Sequence, residues 1–345
     1  DKWTVGGLTL GYGLRYDYLA TSYPEHHVGP APLAPGRNIT FPRVANNAYH
    51  DITPKFGASY DPFGSGRTAL KVSLNKYLTA ISIVNNAFGA DPNPVSNVVV
   101  STTRSWNDAN RNFTPDCDLL NSAANGECGA MANRDFGSVR RGATYDPEFL
   151  RGWGKRNYNW EFSGGVQQQL AADMSVDVSY FRNWYGNFAV TDDRAVAASD
   201  FDRFQITAPS DPRLPGGGGY VVGNLYNLNP SKFGVPADNF ITLNSNYGNQ
   251  TQMWQGVDFN LTIRPAEGML FQGGTSTGRQ VTDNCEILSN LPEMNPVGTP
   301  YFRNVPDFLT QVKFIGSYTV PRIDVQMSAA RSEEHTSELQ SRLHL

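Results

Sequence analysis

Apolar and polar residues alternate with period two through most of this chain, and the segments so marked are joined by connections that switch strictly between long and short. The alternation is clearest over 174–190. There Val176, Val178, Tyr180, Trp184, Phe188 and Val190 share one face, and Ser175, Asp177, Ser179, Asn183 and Asn187 share the other. Such a period puts successive side chains on opposite sides of a pleated strand. The same reading covers 8–18, 55–60, 68–78, 160–170, 257–263, 269–277, 308–320 and 324 onward, which predicts nine strands. Helical stripes are almost absent, so the expected class is all-β and antiparallel.

The connections constrain the fold further. Short ones fall at 61–66, 171–173, 265–268 and 321–322; long ones fall at 20–50, 81–155, 192–250 and 282–306. Structureless loops beyond about 15 residues are uncommon in compact domains, and a soluble sandwich has no reason to sort them by length. Membrane β-barrels do sort them, with short turns on one side and long loops on the other. No apolar run reaches the roughly 18–20 residues of a membrane helix. The formal net charge of -4 supplies no basic stripe for nucleic acid. At 12% aromatic and 17% charged residues, the chain is not of the disordered kind either.

Depth agrees with a membrane wall. A tilted strand climbs roughly 2.5 Å per residue, so an apolar band about 25 Å tall needs about ten residues. Lys76 and Arg182 break the apolar faces of their strands only near that height, at the expected outer headgroup level. Tyr16, Tyr18, Trp160, Tyr180, Trp184 and Tyr318 are expected in the aromatic girdles that mark both interfaces. Arg15, Lys71, Glu161, Asp177, Asp258 and Lys313 are expected to face a hydrated lumen. Their mixed signs favour no single ion charge. Nine strands leave two unpaired edges, which cannot face lipid, so the expectation is a partial transmembrane barrel completed by strands outside this sequence.

Residues 331–345 contrast abruptly with everything before them. The run 331–341, Arg-Ser-Glu-Glu-His-Thr-Ser-Glu-Leu-Gln-Ser, resembles the translation of a sequencing-adapter oligonucleotide. Residues 1–330 are therefore read as the barrel segment, and 331–345 as an artefactual tail expected to be unstructured.

Several stretches resemble the barrel of TonB-dependent outer-membrane receptors, of the type whose N-terminus carries a carboxypeptidase-regulatory-like domain. They are Asp-Ile-Thr-Pro-Lys-Phe-Gly-Ala-Ser-Tyr-Asp at 51–61, Thr-Ala-Leu-Lys-Val-Ser-Leu at 68–74 and Asn-Trp-Glu at 159–161. Tyr-Phe-Arg-Asn-Trp-Tyr-Gly-Asn-Phe at 180–188 and Leu-Pro-Gly-Gly-Gly-Gly-Tyr at 214–220 belong with them. The resemblance spans 3–330. It implies a location in the bacterial outer membrane, lipid around the wall, and a barrel of about twenty-two strands with a plugged lumen. It further implies energised import of an extracellular ligand through TonB, with the plug and the TonB-contacting segment supplied by an N-terminal part not matched here. Siderophore, glycan and peptide all remain open as ligand. A passive porin-like channel and a barrel-anchored adhesive surface protein are the alternatives.

Candidate chemistry lies in the long connections. Cys117 and Cys128 share the second, where an oxidising exterior favours a disulfide over two free thiols. For Cys285 the resemblance implies a partner near Phe302, and none is present. Asp108, Asn110, Asn112 and Asp116 form a D-x-N-x-N-x-x-x-D pattern that could wrap Ca²⁺. Phe113 and Leu119 stand where an EF-hand needs Gly and Glu, which favours Asx-turns and leaves calcium as the lesser reading. His26, His27 and His50 border the first long connection, and a metal there is again the lesser reading. Glycines 216–219 lack the Lys-Ser/Thr and the helix of a phosphate loop. No catalytic motif is present, so no enzyme is expected. The segment 97–129 is expected to cap the barrel and take part in ligand capture, with a small hairpin at 98–100.

Overall fold

The computed structural model describes residues 1–81, 93–294, 302–320, 323 and 325–334. Ten antiparallel strands form one continuous sheet in chain order. They are β1 (Lys2–Val5), β2 (Leu8–Tyr23), β3 (Val44–Tyr60), β4 (Thr68–Leu78), β5 (Tyr158–Ala171), β6 (Met174–Gly186), β7 (Thr251–Ile263), β8 (Met269–Asp283), β9 (Leu309–Val320) and β10 (Val325–Glu334). Two short pieces, Arg151–Trp153 and Arg303–Asn304, add to the loop ends of β3 and β8. Among the described residues no helix is long and apolar enough to cross a membrane.

The register separates the two faces across the whole sheet. One cross-strand row reads Val5, Leu8, Tyr60, Leu70, Val166, Val178, Phe259, Thr275, Val312 and Glu333. The neighbouring row, one residue along every strand, reads Thr4, Thr9, Ser59, Lys71, Gly165, Ser179, Asp258, Ser276, Gln311 and Glu334. Period two makes these rows opposite faces. The first face is apolar as far as β9 and exposed in the isolated chain, with Leu14 at 77% and Phe314 at 57% exposure. Phe314 lies against the backbone of Gly273 and Phe271 against Gly316, so aromatic rings fill the gaps that glycine leaves on this face.

The structure departs from the sequence reading in four places. Lys2–Val5 is a tenth strand, joined to β2 by a tight turn with Gly6 at φ 54° and Gly7 at φ 81°. Both left-handed positions suit a primed hairpin turn, and the Gly-Gly pair between alternating segments is its signal. The first long connection is shorter than expected, because β2 runs to Tyr23 and β3 starts at Val44. Alternation is lost there because the upper strand ends touch water and loops on both sides. Phe188 and Val190 are not on the apolar wall. Asn187 takes φ 58°, the chain leaves the sheet after Gly186, and both residues are buried among the loops. Finally, 331–334 are not unstructured but continue β10, pairing Arg331 with Phe314 and Glu334 with Gln311. Strand pairing uses backbone groups that every residue except proline offers, so an available edge can order a polar segment. The turn at 321–322 and the tail from 335 lie outside the described residues.

The first turn makes a direct prediction. A Cβ on Gly7 would stand 2.9 Å from the carbonyl oxygen of Asp61, and the left-handed φ costs about 1–2 kcal/mol for a non-glycine residue. Gly7→Ala should therefore release β1, read as faster amide exchange over 2–10, while Gly13→Ala, with open space at its Cβ, should leave exchange there unchanged.

Candidate functional site

The six expected lumen residues all lie on the polar face. Arg15 pairs with Asp17 at 2.5 Å, and Lys71 donates to Gln167 at 2.7 Å. Glu161 accepts from Asn159 at 2.9 Å, and Asp177 accepts from the Ser179 hydroxyl at 2.8 Å. Lys313 sits opposite Gly274, on the same face as Asp258. They are spread across the wall and do not converge on one reacting centre.

The expected girdle residues share the other face. Trp160 and Trp184 stack at 6.2 Å between ring centroids, with Lys76 over Tyr158 at 4.5 Å and Arg182 over Trp184 at 5.9 Å beside them. Tyr16, Tyr18 and His50 cluster with Trp153, and the Tyr16 hydroxyl lies 2.7 Å from His50 Nδ1. Tyr318 is near the short-turn end of β9, whereas Tyr180 stands mid-wall on β6 and reaches Gln255 at 3.3 Å. His50 is thus engaged with the girdle and His27 with Asn38 at 2.6 Å. Among the described residues no group of three or more His, Cys, Asp or Glu could hold a metal ion.

The long connections leave from one end of the sheet, and described parts of the second, third and fourth are tied to each other there. Thr144–Tyr145, Ala189–Asp193 and Asn239–Leu243 form a small sheet drawn from two connections. Phe149, Leu150 and Leu243 bury one core beneath it. Val190, Ile287 and Leu291 bury another, linking the third and fourth connections. The Tyr49 hydroxyl on β3 donates to the Phe149 carbonyl at 2.8 Å, and Arg156 faces the buried Asp51 carboxylate at 3.6 Å. These contacts clamp the cap to the wall.

An acidic knot holds the second of these cores. The Tyr247 hydroxyl donates to Asp192 at 2.5 Å, and Glu293 accepts from the Asp193 backbone at 3.3 Å. Burial, then the bond to Asp192, pushes the Tyr247 phenol up to about 12. Burial also raises the Glu293 carboxyl above its ordinary range, with Asp192 and Asp193 adding to the effect. Alternation could not reveal this knot, since its members lie on three separated segments.

Cys117 and Cys128 are disulfide-bonded, with Cα atoms 5.8 Å apart. The loop around them is ordered by short-range polar bonds. Asp108 accepts from the backbone of Asn112 and Phe113, at 3.1 and 3.0 Å. Asp116 accepts from the side-chain amides of Asn110 and Asn112, at 2.5 and 2.9 Å. The four residues of the calcium pattern are therefore brought together, but N–H donors point at their oxygens. That is an Asx-turn arrangement. Residues 98–100 form a clip instead of a regular hairpin. Val98 bridges Val139, and the Val99 amide and carbonyl bond Ser138 and Gly137. Cys285 is a free thiol, while the Phe302 carbonyl accepts from the neighbouring Asn284 amide at 2.9 Å.

No protein-family model matches the sequence, and no curated protein matches it significantly. Solved structures with a similar strand arrangement include the FrpB iron transporter from Neisseria meningitidis, at 12% identity and TM-score 0.40, covering 95% of this chain and 31% of that one. The siderophore receptor PirA from Pseudomonas aeruginosa matches at 12% identity and TM-score 0.35, with 94% and 44% coverage. The outer membrane transporter YddB from Escherichia coli matches at 10% identity and TM-score 0.35, with 97% and 45% coverage. The chain thus spans less than half the length of each.

Replacing both Cys117 and Cys128 by Ser should destabilise the loop by about 2–3 kcal/mol through a freer unfolded state, seen as faster amide exchange over 97–140 with wall amides unchanged. For Glu293 the native carboxyl holds its proton to higher pH than the unfolded one. Its contribution to cap stability is therefore present at low pH and lost as pH rises through the elevated native value. Glu293→Gln should remove that loss, so amide protection over 285–294 at pH 7 should exceed that of the unaltered protein, with the two converging in acid.

Proposed function

We propose that this chain is part of the wall and loop cap of an outer-membrane transport barrel in a bacterium. The observation that carries the reading is the two-faced sheet. From β1 to β9 the row through Val178 presents no charge, the row beside it is polar except for Gly165, and every long connection leaves from the same end. An apolar face of this extent needs an apolar solvent. Lipid supplies it, and the polar face then borders water.

The knit cap suits ligand capture at the mouth, because loops already fixed by a disulfide and two small cores lose less entropy on binding. Energised import through TonB and a plug belongs with the family resemblance and is part of the same proposal. The ligand in this reading is a scarce extracellular solute.

Side-chain facing tests the membrane part. Val178 stands four positions beyond the start of β6, inside the apolar band. Val178→Lys should cost about 2–4 kcal/mol of insertion stability, whereas Ser179→Lys on the polar face should cost little. Flotation of the chain with lipid vesicles reads this directly; equal loss from both variants sinks the assignment of faces. In cells carrying the full-length protein, uptake that stops when the proton gradient is collapsed marks the energised transporter. Uptake that persists marks a passive pore.

A further inference from the structure

The polar wall contains a built hollow that a water-filled interior does not by itself require. One row of inward residues reads Asn75, Glu161, Asn183, Trp254 and Gln280 across β4 to β8. The next inward row towards the short turns reads Ser73, Ser163, Phe181, Gly256 and Gly278. Small residues at both ends of the second row make it a floor. A Cβ on Gly256 would come within 2.7 Å of the Trp254 ring, and one on Gly278 within 2.6 Å. The indole therefore lies down across the paired glycines, with its other face towards the lumen. Asp258 closes the lower side, and the resulting cavity is lined by Glu161, Phe181, Asn183, Trp254 and Asp258 among others.

Filling the gap over two glycines accounts for the position of the ring. It does not account for the acid beside it. Asp258 Oδ1 is shielded from solvent and has no hydrogen-bond partner among the described residues, and a buried acceptor without a donor calls for an explanation. Among the described residues that line the hollow none is a cation. Lys55, beyond Asn75 in the upper row, donates to the Lys76 carbonyl at 2.7 Å, lies 3.0 Å from the Tyr77 ring centre and faces Glu161 by charge, and Lys313 lines the adjoining hollow that Asp258 shares. Lys71 is held by Gln167.

We propose that this hollow binds an organic cation, an alkylammonium or guanidinium group, over the face of Trp254 with Asp258 as its acceptor, while Glu161, two strands away, stands on the far rim. Aromatic faces attract such cations, and charge-assisted hydrogen bonds to carboxylate are the stronger kind. The Asp258 carboxylate beside the ring disfavours an anion by the same Coulomb argument. The inference deepens the transport reading by assigning a ligand class to the wall, and it rests on that reading for access from the lumen. The cation comes from a free polyamine or from a basic side chain of a peptide.

The test is calorimetric titration of the full-length protein, folded in detergent micelles, with spermidine, tri-lysine and Nε-acetylated tri-lysine. Saturable binding of spermidine or tri-lysine is expected, with at least tenfold weaker binding of the acetylated peptide. Binding of both points to the amine group itself, and binding of tri-lysine alone points to a peptide. Asp258→Asn and Trp254→Leu should each weaken binding about tenfold, while Asp177→Asn, further down the same wall, should not. Strand content by circular dichroism checks folding; if Trp254→Leu fails there, the near-isosteric Asp258→Asn decides. Absence of saturable binding, equal binding of the acetylated peptide, or binding unchanged in Asp258→Asn overturns the proposal. Failure of vesicle flotation overturns the membrane reading alone, since this titration uses no bilayer.

Discussion

Everything in this molecule depends on the antiparallel backbone ladder holding one register across ten strands. A slip of one residue at any pair would turn every later side chain to the opposite face. The chain avoids this by pinning the register at tight turns. Gly6 and Gly7 fix β1 on β2. At the next turn Asp61 accepts from the backbone of Phe63 at 3.1 Å and of Gly66 at 2.7 Å, and these bonds hold its carboxyl below the usual range. The ladder also answers the solvent problem. In hydrocarbon a backbone amide has no water to turn to, so only internally paired strands or helices can cross it, and this chain builds strands.

The wall was legible in the sequence because two constraints coincide there. Pleat geometry demands period two, and the two solvents on either side demand opposite polarity, so each strand repeats the message and errors are confined to its ends. Above the girdle the second constraint disappears. At 44–50 the strand continues with Asn46, Asn47 and Tyr49 all buried against loops, and no alternation survives to announce it. Phe188 and Val190 show the converse. They keep the alternation of β6 in sequence, but the left-handed Asn187 redirects them into a core that only the distant Ile287 and Leu291 complete.

The cap was the least legible part for the same reason. Its small sheet pairs 144–145 with 240–241, about a hundred residues apart along the chain, and no local pattern encodes such a contact. Local chemistry was readable where it was truly local. The Asx-turn ladder from Asp108 to Asp116 and the cysteine pair each close within a dozen residues. The hollow at Trp254 falls between these cases. Each strand shows only a glycine, an aromatic residue or an acid at an inward position, and the register alone brings Gly256 beside Gly278 and Glu161 into the row of Trp254.

The far edge shows what backbone pairing can and cannot establish. Residues 331–334 add to β9 with the same ladder as every other pair, yet the face logic fails there. Arg331 and Glu333 fall opposite Phe314 and Val312, and they ion-pair with each other on the apolar face. Elsewhere on that face of the wall Lys76, Arg182 and Arg279 stand eight or more positions into their strands from the short turns, where headgroups begin. Arg331 stands only six positions into β10, roughly 15 Å up by the usual tilted rise, within the band that the other strands keep free of charge. A sheet edge accepts any backbone, whereas lipid accepts few side chains. Polarity is therefore the stricter criterion, and the face pattern kept from β1 to β9 does not extend to Arg331 and Glu333.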